Sequence, residues 1–320
     1  MKAAIIKRYG SADSLRIQDV PRPTPTDDEV LVRVRATSIN PVDWKIRKGG
    51  LKLLTGRDFP KVLGSDFSGE IVETGPNASG YEPGQLVYGM NNAVKGGAYA
   101  EYLAVKVNKL APKPTSLSHE EAAAVPMAAL TALQGLKKGG LRAGLKVLVN
   151  GASGGVGSFA VQLARAYHAS VTGVCSGRHV EMVQKLGADR VINYEQESPL
   201  PDTPTYDLIF DAHGTMSFSK ARKALREGGQ FVSTLPSADK VFWAFASKVV
   251  GNQSSHIIHL KVNPTDLSEI RTLIDDGQVK PVIDSVYPLE DIDEAHRKSE
   301  EGHASGKIIV SLYAEDTGKK

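Results

Sequence analysis

The fold is decided by the stretch Lys146-Val-Leu-Val-Asn-Gly151-Ala-Ser-Gly154-Gly-Val-Gly157-Ser-Phe-Ala-Val-Gln-Leu-Ala-Arg165, in which an apolar run breaks into glycines and resumes with helical spacing. This pattern predicts a strand, a tight turn and a helix. Its glycine spacing is a variant of the dinucleotide-binding fingerprint, in which small residues let a pyrophosphate approach the backbone and the helix N-terminus. A flexible turn would also contain glycines, so the neighbouring sequence has to decide between the two interpretations. The candidate phosphate-binding residues are Gly151, Gly154, Gly155, Val156 and Gly157.

The next strand-like run, Ala169–Cys175, completes a β-α-β unit and leads into Ser176, Gly177 and Arg178. An enzyme that binds NAD usually places an acidic residue here to accept from the ribose hydroxyls, whereas the first carboxylate after this run is Glu181. Arg178 and Ser176 are suited to charge-assisted hydrogen bonds with a 2′-phosphate. The sequence therefore favours NADPH, with a solvated surface arginine as the alternative. The candidate residues are Cys175, Ser176, Gly177 and Arg178.

Composition excludes several classes of protein. The 320 residues, 41% hydrophobic and 23% charged, give room for two domains of an ordinary globular protein. A formal charge of +3 without a basic block does not indicate nucleic-acid binding. No apolar run reaches membrane-spanning length, and the N-terminal residues lack a signal-peptide pattern. The single cysteine excludes an intrachain disulfide, so a cytoplasmic location is predicted.

The sequence pattern of the chain changes near residue 118. Before it, short alternating runs such as Glu29–Asn40 are punctuated by glycine and proline and predict a small β-rich, barrel-like domain. Ser118-His-Glu-Glu121 is typical of a capping box, and alternating strands and helices follow it. We predict a nucleotide-binding domain over residues 118–263 and a second domain over residues 1–117 and 264–320, with a frayed tail at Gly318–Lys320.

Two later strands of the alternating region end in candidate ligand-facing turns, His213-Gly214 and Leu235.

The chain resembles the medium-chain dehydrogenase/reductase superfamily, on its zinc-independent quinone oxidoreductase and enone reductase branch, and particularly the chloroplast-envelope quinone oxidoreductase homologues. The segments that carry this resemblance are Ala36–Lys45, Gly64–Gly75, Gly96–Tyr102, Ala128–Leu133, the glycine turn and Gly302–Val310. The resemblance implies an α/β fold, with a Rossmann-type doubly wound parallel sheet plus a GroES-like β-rich barrel domain. It also implies NADPH-dependent reduction of α,β-unsaturated ketones. The run Ser255–Val262 resembles the edge strand through which relatives extend their sheets across a dimer, which predicts a homodimer.

A departure from the zinc alcohol dehydrogenases bears on the chemistry. Those relatives carry a Gly-His-Glu motif and further cysteine ligands, whereas this chain has Ser65-Asp66 at the motif and its only thiol at Cys175. Zinc prefers sulfur and imidazole ligands, and the eight histidines are scattered. No metal site is predicted.

The family pattern assigns roles to further residues. Asn40 and Lys45 are expected near the nicotinamide, where they stabilise charge on the substrate carbonyl oxygen during hydride transfer to the β-carbon. A turn-stabilising Asn-Pro pair and a solvated lysine are the alternatives. Cofactor contacts inherited from the resemblance are Thr131, Tyr194, Gly306 and Lys307.

Aromatic residues suited to a conjugated substrate are Trp44, Phe242 and Trp243. Core packing or a subunit contact explains Phe242 and Trp243 equally well. Two other functions stay open: reduction of quinones, and NADPH binding without catalysis in a regulatory or structural protein.

Overall fold

The computed structural model describes residues 1–246 and 252–313. Within these residues the chain divides into two compact units. The first unit comprises Met1–Met127, Val262–Asp275 and the segment from Pro281 onward, and the second comprises Ala128–Lys261 and Asp276–Lys280. The predicted tail at Gly318–Lys320 lies outside the described residues.

The elements are numbered in chain order. The strands are β1 (Lys2–Ile6), β2 (Leu15–Asp19), β3 (Glu29–Ile39), β4 (Lys61–Val62), β5 (Asp66–Thr74), β6 (Leu86–Met90), β7 (Tyr102–Lys106), β8 (Leu110–Pro112), β9 (Lys146–Asn150), β10 (Ser170–Cys175), β11 (Arg190–Asn193), β12 (Tyr206–Asp211), β13 (Leu225–Ser233), β14 (Ser254–Ile257), β15 (Ile283–Pro288) and β16 (Lys307–Ser311). The helices are α1 (Pro41–Arg47), α2 (Lys52–Thr55), α3 (His119–Ala123), α4 (Pro126–Lys138), α5 (Gly155–Ala166), α6 (Val180–Lys185), α7 (Phe218–Ala221), α8 (Ala238–Ala246), α9 (Pro264–Asp275) and α10 (Ile292–Glu301).

The second unit contains a parallel sheet with the strand order β11-β10-β9-β12-β13-β14. The chain runs outward from β9 in one direction and then from β12 in the other, so the topological switch point lies between these two strands. Apolar side chains of the sheet are fully buried, as at Val147, Phe210 and Phe231. Such continuous apolar strands are typical of parallel sheets covered on both faces.

The first unit is built on a mixed sheet with the strand order β15-β16-β3-β5-β6-β8, and β7 also pairs with β3. The pairs along this order are antiparallel except for β15 with β16. A smaller sheet follows the order β2-β1-β4. The C-terminal strand β16 lies directly beside β3, which brings Lys307 close to the segment that follows Ile39. The predicted fold class, a Rossmann-type parallel sheet plus a β-rich domain, is confirmed.

Two local features differ from the sequence analysis. The Asn40-Pro41 pair begins helix α1, with Asn40 as its N-cap and Asp43 completing a capping box. The capping box at Ser118 and Glu121 is present as predicted, but α3 contacts β3 and β5 and belongs to the first unit. The second unit therefore begins at Ala128 and also takes in Asp276–Lys280.

Strand β14 ends the order of the parallel sheet, so it is an edge strand among the residues that the structure describes. The homodimer expected from this segment stays a prediction. In the part of the chain that the structure describes, no helix has both the length and the apolar character needed to cross a bilayer.

Candidate active site

The glycine turn of the second unit leaves room where a pyrophosphate is expected. Gly151 has a left-handed φ of +76°, and a Cβ at Gly157 would lie 2.0 Å from the carbonyl oxygen of Gly151. Gly154 is the N-cap of α5, whose first turn holds no acidic residue. Helix N-termini present free N–H donors and a positive dipole end. Val156 and Gly155 lie in that first turn, so the turn fits the phosphates of a dinucleotide.

The loop after β10 carries the residues expected at a 2′-phosphate. Cys175 ends the strand and is buried, and burial first, with the Glu195 carboxylate second, raises the pKa of its thiol to about 11. The thiol is therefore neutral at physiological pH and contributes packing to the loop, without a charge. The Ser176 hydroxyl contacts Nδ1 of His179 at 3.2 Å, and Arg178 is exposed.

A carboxylate that the sequence analysis did not consider also lies at this loop. The Glu195 side chain accepts a hydrogen bond of 3.0 Å from the backbone N–H of Gly177. Its neighbour Tyr194 is exposed, and the Tyr194 N–H donates to the carbonyl of Cys175 at 3.1 Å. The loop therefore combines groups that attract a 2′-phosphate with one that repels it.

The turns after β12 and β13 are joined by a buried ion pair. Asp211 ends β12, and its carboxylate lies 3.1 Å from the ammonium of Lys240 on α8. The Lys240 ammonium also donates to the carbonyl oxygens of Gly214, at 2.6 Å, and Leu235, at 3.2 Å. The two candidate turns at His213-Gly214 and Leu235 are therefore held by one cation.

In the first unit a buried network surrounds Asn40, which is 3% exposed. Its amide Nδ2 donates to Asp66 at 2.9 Å, and its Oδ1 accepts from the ammonium of Lys307 at 2.5 Å. Lys307 also approaches Asp66 and the Ile39 carbonyl, at 3.5 and 3.4 Å. The Asp66 carboxylate accepts further hydrogen bonds from the Ser38 hydroxyl, at 2.7 Å, and from a backbone N–H. The orientation of the Asn40 amide is thereby fixed from both sides.

The first residue of β16 and its neighbour were expected at the cofactor. Gly306 has a φ of +102°, and a Cβ there would lie 2.3 Å from the carbonyl oxygen of Val282. Lys307 is 4% exposed, and burial lowers its pKa, an effect that the Asp66 carboxylate opposes. The three N–H groups of an ammonium match its three acceptors in this network. The cofactor contact expected at Lys307 stays a prediction.

Asp43 lies beside this network and is fully buried. One of its oxygens accepts from the backbone N–H of Asn40 at 2.8 Å. Burial raises the pKa of Asp43 to about 7; the Asn40 N–H opposes this rise, and the negative charge of Asp66 adds to it. The first unit therefore carries an acid that changes its charge close to neutral pH.

Lys45 is the second candidate catalytic residue of the first unit. It lies on α1 and is half-buried, and its ammonium is 5.5 Å from the centre of the Trp44 ring. The ammonium of Lys48 approaches the same ring at 5.2 Å. Cations near an aromatic face are attracted by the quadrupole of the ring. Trp44 is therefore an aromatic surface flanked by positive charge.

The remaining candidates lie in the second unit. Thr131 is buried on α4. Phe242 is exposed, whereas Trp243 packs on Phe218 with ring centres 5.4 Å apart and donates to the Ser219 hydroxyl at 3.0 Å. These contacts favour core packing for Trp243, one of the two interpretations left open from the sequence.

No group of three or more histidine, cysteine, aspartate or glutamate residues is arranged to hold a metal ion anywhere in residues 1–246 and 252–313. At the position of the zinc-ligand motif, Asp66 is bound by the cation of Lys307, and the buried Ser65 hydroxyl has no hydrogen-bond partner among the described residues.

Sequence reasoning missed several residues of these networks, among them Asp43, Asp211, Lys240 and Glu195, and it considered Asp66 only as a replacement in the zinc-ligand motif. Asp211 had a usable signal, because it ends an apolar strand of the parallel sheet, where a polar side chain is unusual. Lys240 had none, because its sequence, Ala-Asp-Lys-Val, is that of an ordinary solvated helix turn.

Two family descriptions match the chain. "Alcohol dehydrogenase GroES-like domain" matches residues 26–115, and "Zinc-binding dehydrogenase" matches residues 186–310. Together they cover parts of both units.

Curated relatives match over nearly the whole chain. The chloroplast envelope quinone oxidoreductase homolog of Arabidopsis thaliana is 38% identical over 94% of this chain and 95% of its own length. The mitochondrial NAD(P)H oxidoreductase RTN4IP1 of Bos taurus is 35% identical over 98% and 89%. The 2-methylene-furan-3-one reductase of Solanum lycopersicum is 35% identical over 97% and 79%.

A solved structure has the same fold. The quinone oxidoreductase from Coxiella burnetii is 29% identical, covers 98% of this chain and 99% of its own, and superimposes with a TM-score of 0.89.

Proposed function

Because the chain belongs to the quinone oxidoreductase-like part of the medium-chain dehydrogenase/reductase superfamily, we propose that it reduces the conjugated C=C bond of α,β-unsaturated carbonyl compounds with NADPH and without zinc. The chain is an oxidoreductase that uses a nicotinamide cofactor, as its relatives are. The observation that carries the proposed enone reduction is the amide of Asn40, which is fixed between Asp66 and Lys307.

Asn40 is the neutral donor to the substrate carbonyl. An amide has two N–H groups, and Asp66 accepts one of them, so one remains for a carbonyl oxygen. The ammonium of Lys307 at Oδ1 polarises the amide and strengthens the remaining donor. A preorganised donor of this kind stabilises the charge that grows on the oxygen during reduction of an enone.

Lys45 supplies positive charge to the same oxygen. Lys45 is half-buried, in contrast to the almost fully buried Lys307, and it lies on the same short helix as Trp44. The Trp44 ring offers a flat apolar surface for a conjugated substrate. Lys45 and Trp44 together fit a conjugated, apolar substrate that carries a carbonyl group.

The zinc-free part of the proposal rests on the surroundings of Asp66. This carboxylate accepts from Ser38, Asn40 and a backbone N–H, and its cation is Lys307. A metal ion bound by Asp66 would compete with the Lys307 ammonium, so we propose that the chain's own cation takes that place. A conjugated alkene is already activated for hydride addition and needs no Lewis acid.

The cofactor supplies a hydride when it is bound. The glycine turn at Gly151–Gly157 would hold its pyrophosphate, and Arg178, Ser176 and Tyr194 would receive its 2′-phosphate. Glu195 lowers the advantage of NADPH over NADH because its negative charge lies at the same loop. We propose that the fixed charge and the donors of Arg178 outweigh it, since Glu195 is engaged with the Gly177 N–H.

Reduction of quinones is the second candidate. It is favoured by the names of two similar proteins, the quinone oxidoreductases from Arabidopsis thaliana and Coxiella burnetii, whereas the reductase from Solanum lycopersicum favours the enone. A quinone also accepts a hydride through a conjugated carbonyl, so Asn40 and Lys45 would serve both reactions.

The test is the loss of absorbance of the reduced nicotinamide with NADPH or NADH against an aliphatic enone, a quinone and a saturated ketone. We expect NADPH to be oxidised by the enone and not by the saturated ketone. Turnover of the quinone alone would promote the second candidate. Binding of NADPH without oxidation by any acceptor would favour a binding protein.

A pair of variants tests the role of Lys45. Lys45→Met is expected to lower kcat/KM for the enone by about 100-fold, since one stabilising group at a developing oxyanion contributes about 2.7 kcal/mol. Lys48→Met is the matched control, because its ammonium approaches the same Trp44 ring and otherwise makes a surface ion pair with Glu300. Equal losses in both variants would refute a specific role for Lys45.

A further inference from the structure

A buried lysine on α8 has no place in the function proposed so far. Lys240 is 1% exposed, and its ammonium reaches four acceptors within 3.2 Å. Two are side-chain atoms, the carboxylate of Asp211 at 3.1 Å and the hydroxyl of Ser233 at 2.9 Å. The other two are the carbonyl oxygens of Gly214 and Leu235, at 2.6 and 3.2 Å. Burying an ammonium is costly unless every donor is satisfied, and here each donor has an acceptor.

The acceptors of Lys240 come from two different turns at one edge of the parallel sheet. Asp211 ends β12 and Ser233 ends β13, and Gly214 and Leu235 follow them in the chain. The carboxylate of Asp211 also accepts from the backbone N–H groups of Gly214 and Met216, at 3.0 and 3.1 Å. The ion pair therefore fixes the backbone on both sides: Asp211 holds N–H groups, and Lys240 holds carbonyl groups.

These turns are also in contact with each other and with the glycine turn. A Cβ at Gly151 would lie 2.8 Å from the Cβ of His213, and a Cβ at Gly214 would lie 2.7 Å from the side chain of Leu235. A third link is the side chain of Asn150 at the end of β9, which donates to Asp211 at 2.8 Å. The three loops that follow β9, β12 and β13 thus form one connected edge.

The position of this edge assigns it a ligand. In open parallel sheets, ligands bind outside the carboxyl ends of the strands at the topological switch point. Here that point lies between β9 and β12. The residues expected at the adenosine 2′-phosphate, Arg178 and Tyr194, lie after β10 and β11, on one side of the switch. The turns held by Lys240 lie on the other side, where the nicotinamide half of a dinucleotide extends.

We infer that Lys240 is a positioning residue for cofactor binding: paired with Asp211, its ammonium shapes the turns at Gly214 and Leu235 that receive the nicotinamide half of NADPH. This inference rests on the cofactor named in the proposed function. Lys240 itself has no donor left for the cofactor. Its effect passes through the two backbone turns.

The role is tested by comparing two ligands. NADPH contacts both halves of the site, whereas 2′,5′-ADP carries only the adenosine half with its 2′-phosphate. For Lys240→Met we expect the dissociation constant of NADPH to rise about 10-fold and that of 2′,5′-ADP to stay the same. The control is Lys223→Met, at an exposed lysine of the same unit, which should change neither constant.

The outcomes separate the inference from the function on which it rests. A Lys240→Met variant that binds NADPH as tightly as the wild type, or that loses both ligands in equal measure, overturns the positioning role. A wild-type protein that fails to bind NADPH overturns the proposed function. If the wild type prefers NADH, only the proposed preference for NADPH is wrong. The dissociation constants of NADH and ADP are then compared in the same way.

Lys240→Met leaves Asp211 as a buried unpaired charge, which can prevent folding. A second variant keeps the inference testable in that case. In the double variant Lys240→Met, Asp211→Asn both charges are absent, and the amide still accepts from the Gly214 N–H. We expect this protein to fold and to show the same selective loss of NADPH binding. A double variant with wild-type affinity for NADPH would overturn the inference.

Discussion

The predicted catalytic residue of the first unit is held by buried side chains, whereas the predicted cofactor residues of the second unit lie on backbone turns at strand ends. Asn40 is fixed by Asp66 and Lys307, all three of them almost fully buried. Arg178 and Tyr194 are exposed, and the turns after β9 and β12 contain the left-handed glycines Gly151 and Gly214. Each unit contains a buried lysine paired with an aspartate, but Lys307 orients a side chain and Lys240 orients backbone.

This difference predicts how the two regions respond to change. In a buried network, removal of one partner leaves another polar group without water or a hydrogen bond, so stability and function fall together. At an exposed loop, water replaces the lost partner, so affinity changes and stability does not. The following predictions test this distinction.

The largest effect is expected for Lys307→Met. This variant leaves Asp66 buried beside no cation, and it should lower the free energy of unfolding by about 3–5 kcal/mol, as measured by denaturant titration. Turnover of the enone should fall as well, because Oδ1 of Asn40 loses its donor.

The control for that prediction is the double variant Lys307→Met, Asp66→Asn. It removes both charges of the pair, so most of the lost stability should return while the loss of turnover remains. Strictly additive losses of stability would show that Lys307 and Asp66 do not act as a pair.

A pH dependence of intermediate size is expected from Asp43, again in the first unit. Its folded-state pKa is raised from 3.8 to about 7 by burial, so the folded state holds a proton that the unfolded state has released. The stability from this group is full below about pH 4 and is lost as the pH rises through 7. The slope is at most about 1.4 kcal/mol per pH unit.

The measurement is the free energy of unfolding of the wild type and of Asp43→Asn between pH 5 and pH 8. The asparagine keeps an oxygen for the Asn40 N–H but does not titrate, so the decline with rising pH should be shallower in the variant. Asp202→Asn, at an exposed carboxylate, should follow the wild type. Parallel curves for all three proteins would refute a titrating Asp43.

The sequence predicted the backbone turns of the second unit better than the side-chain network around Asn40 in the first unit. Gly151, Gly154 and Gly157 carry their structural reason locally, since a tight turn before a helix requires small residues at fixed spacing. Likewise, the resemblance to the superfamily is confirmed by relatives that match nearly the whole chain. The helix α1 was missed because the Asn-Pro pair is a turn signal and also a suitable N-cap with proline at the first helical position.

The buried networks could not be derived from spacing. Lys307 and Asp66 are 241 positions apart in the chain, and Lys240 and Asp211 are 29 apart. A lysine in a strand or a helix is usually solvated, and only the fold shows that these two are buried. Glu195 was missed for a related reason: the search for a ribose acceptor followed β10, whereas this carboxylate returns to the loop from the end of β11.

The smallest effect, and the sharpest test of the exposed region, is expected for Glu195→Gln. The glutamine keeps an acceptor for the Gly177 N–H and removes the negative charge, so the dissociation constant of NADPH should fall about threefold, a change on the scale of an exposed ion pair. The melting temperature should stay unchanged, in contrast to Lys307→Met. Glu197→Gln, at an exposed carboxylate paired with Arg190, is the control. If NADPH binding is unchanged and NADH binding weakens instead, Glu195 accepts from the ribose hydroxyls. NADH would then be the cofactor of this enzyme, because a carboxylate in that role excludes a 2′-phosphate.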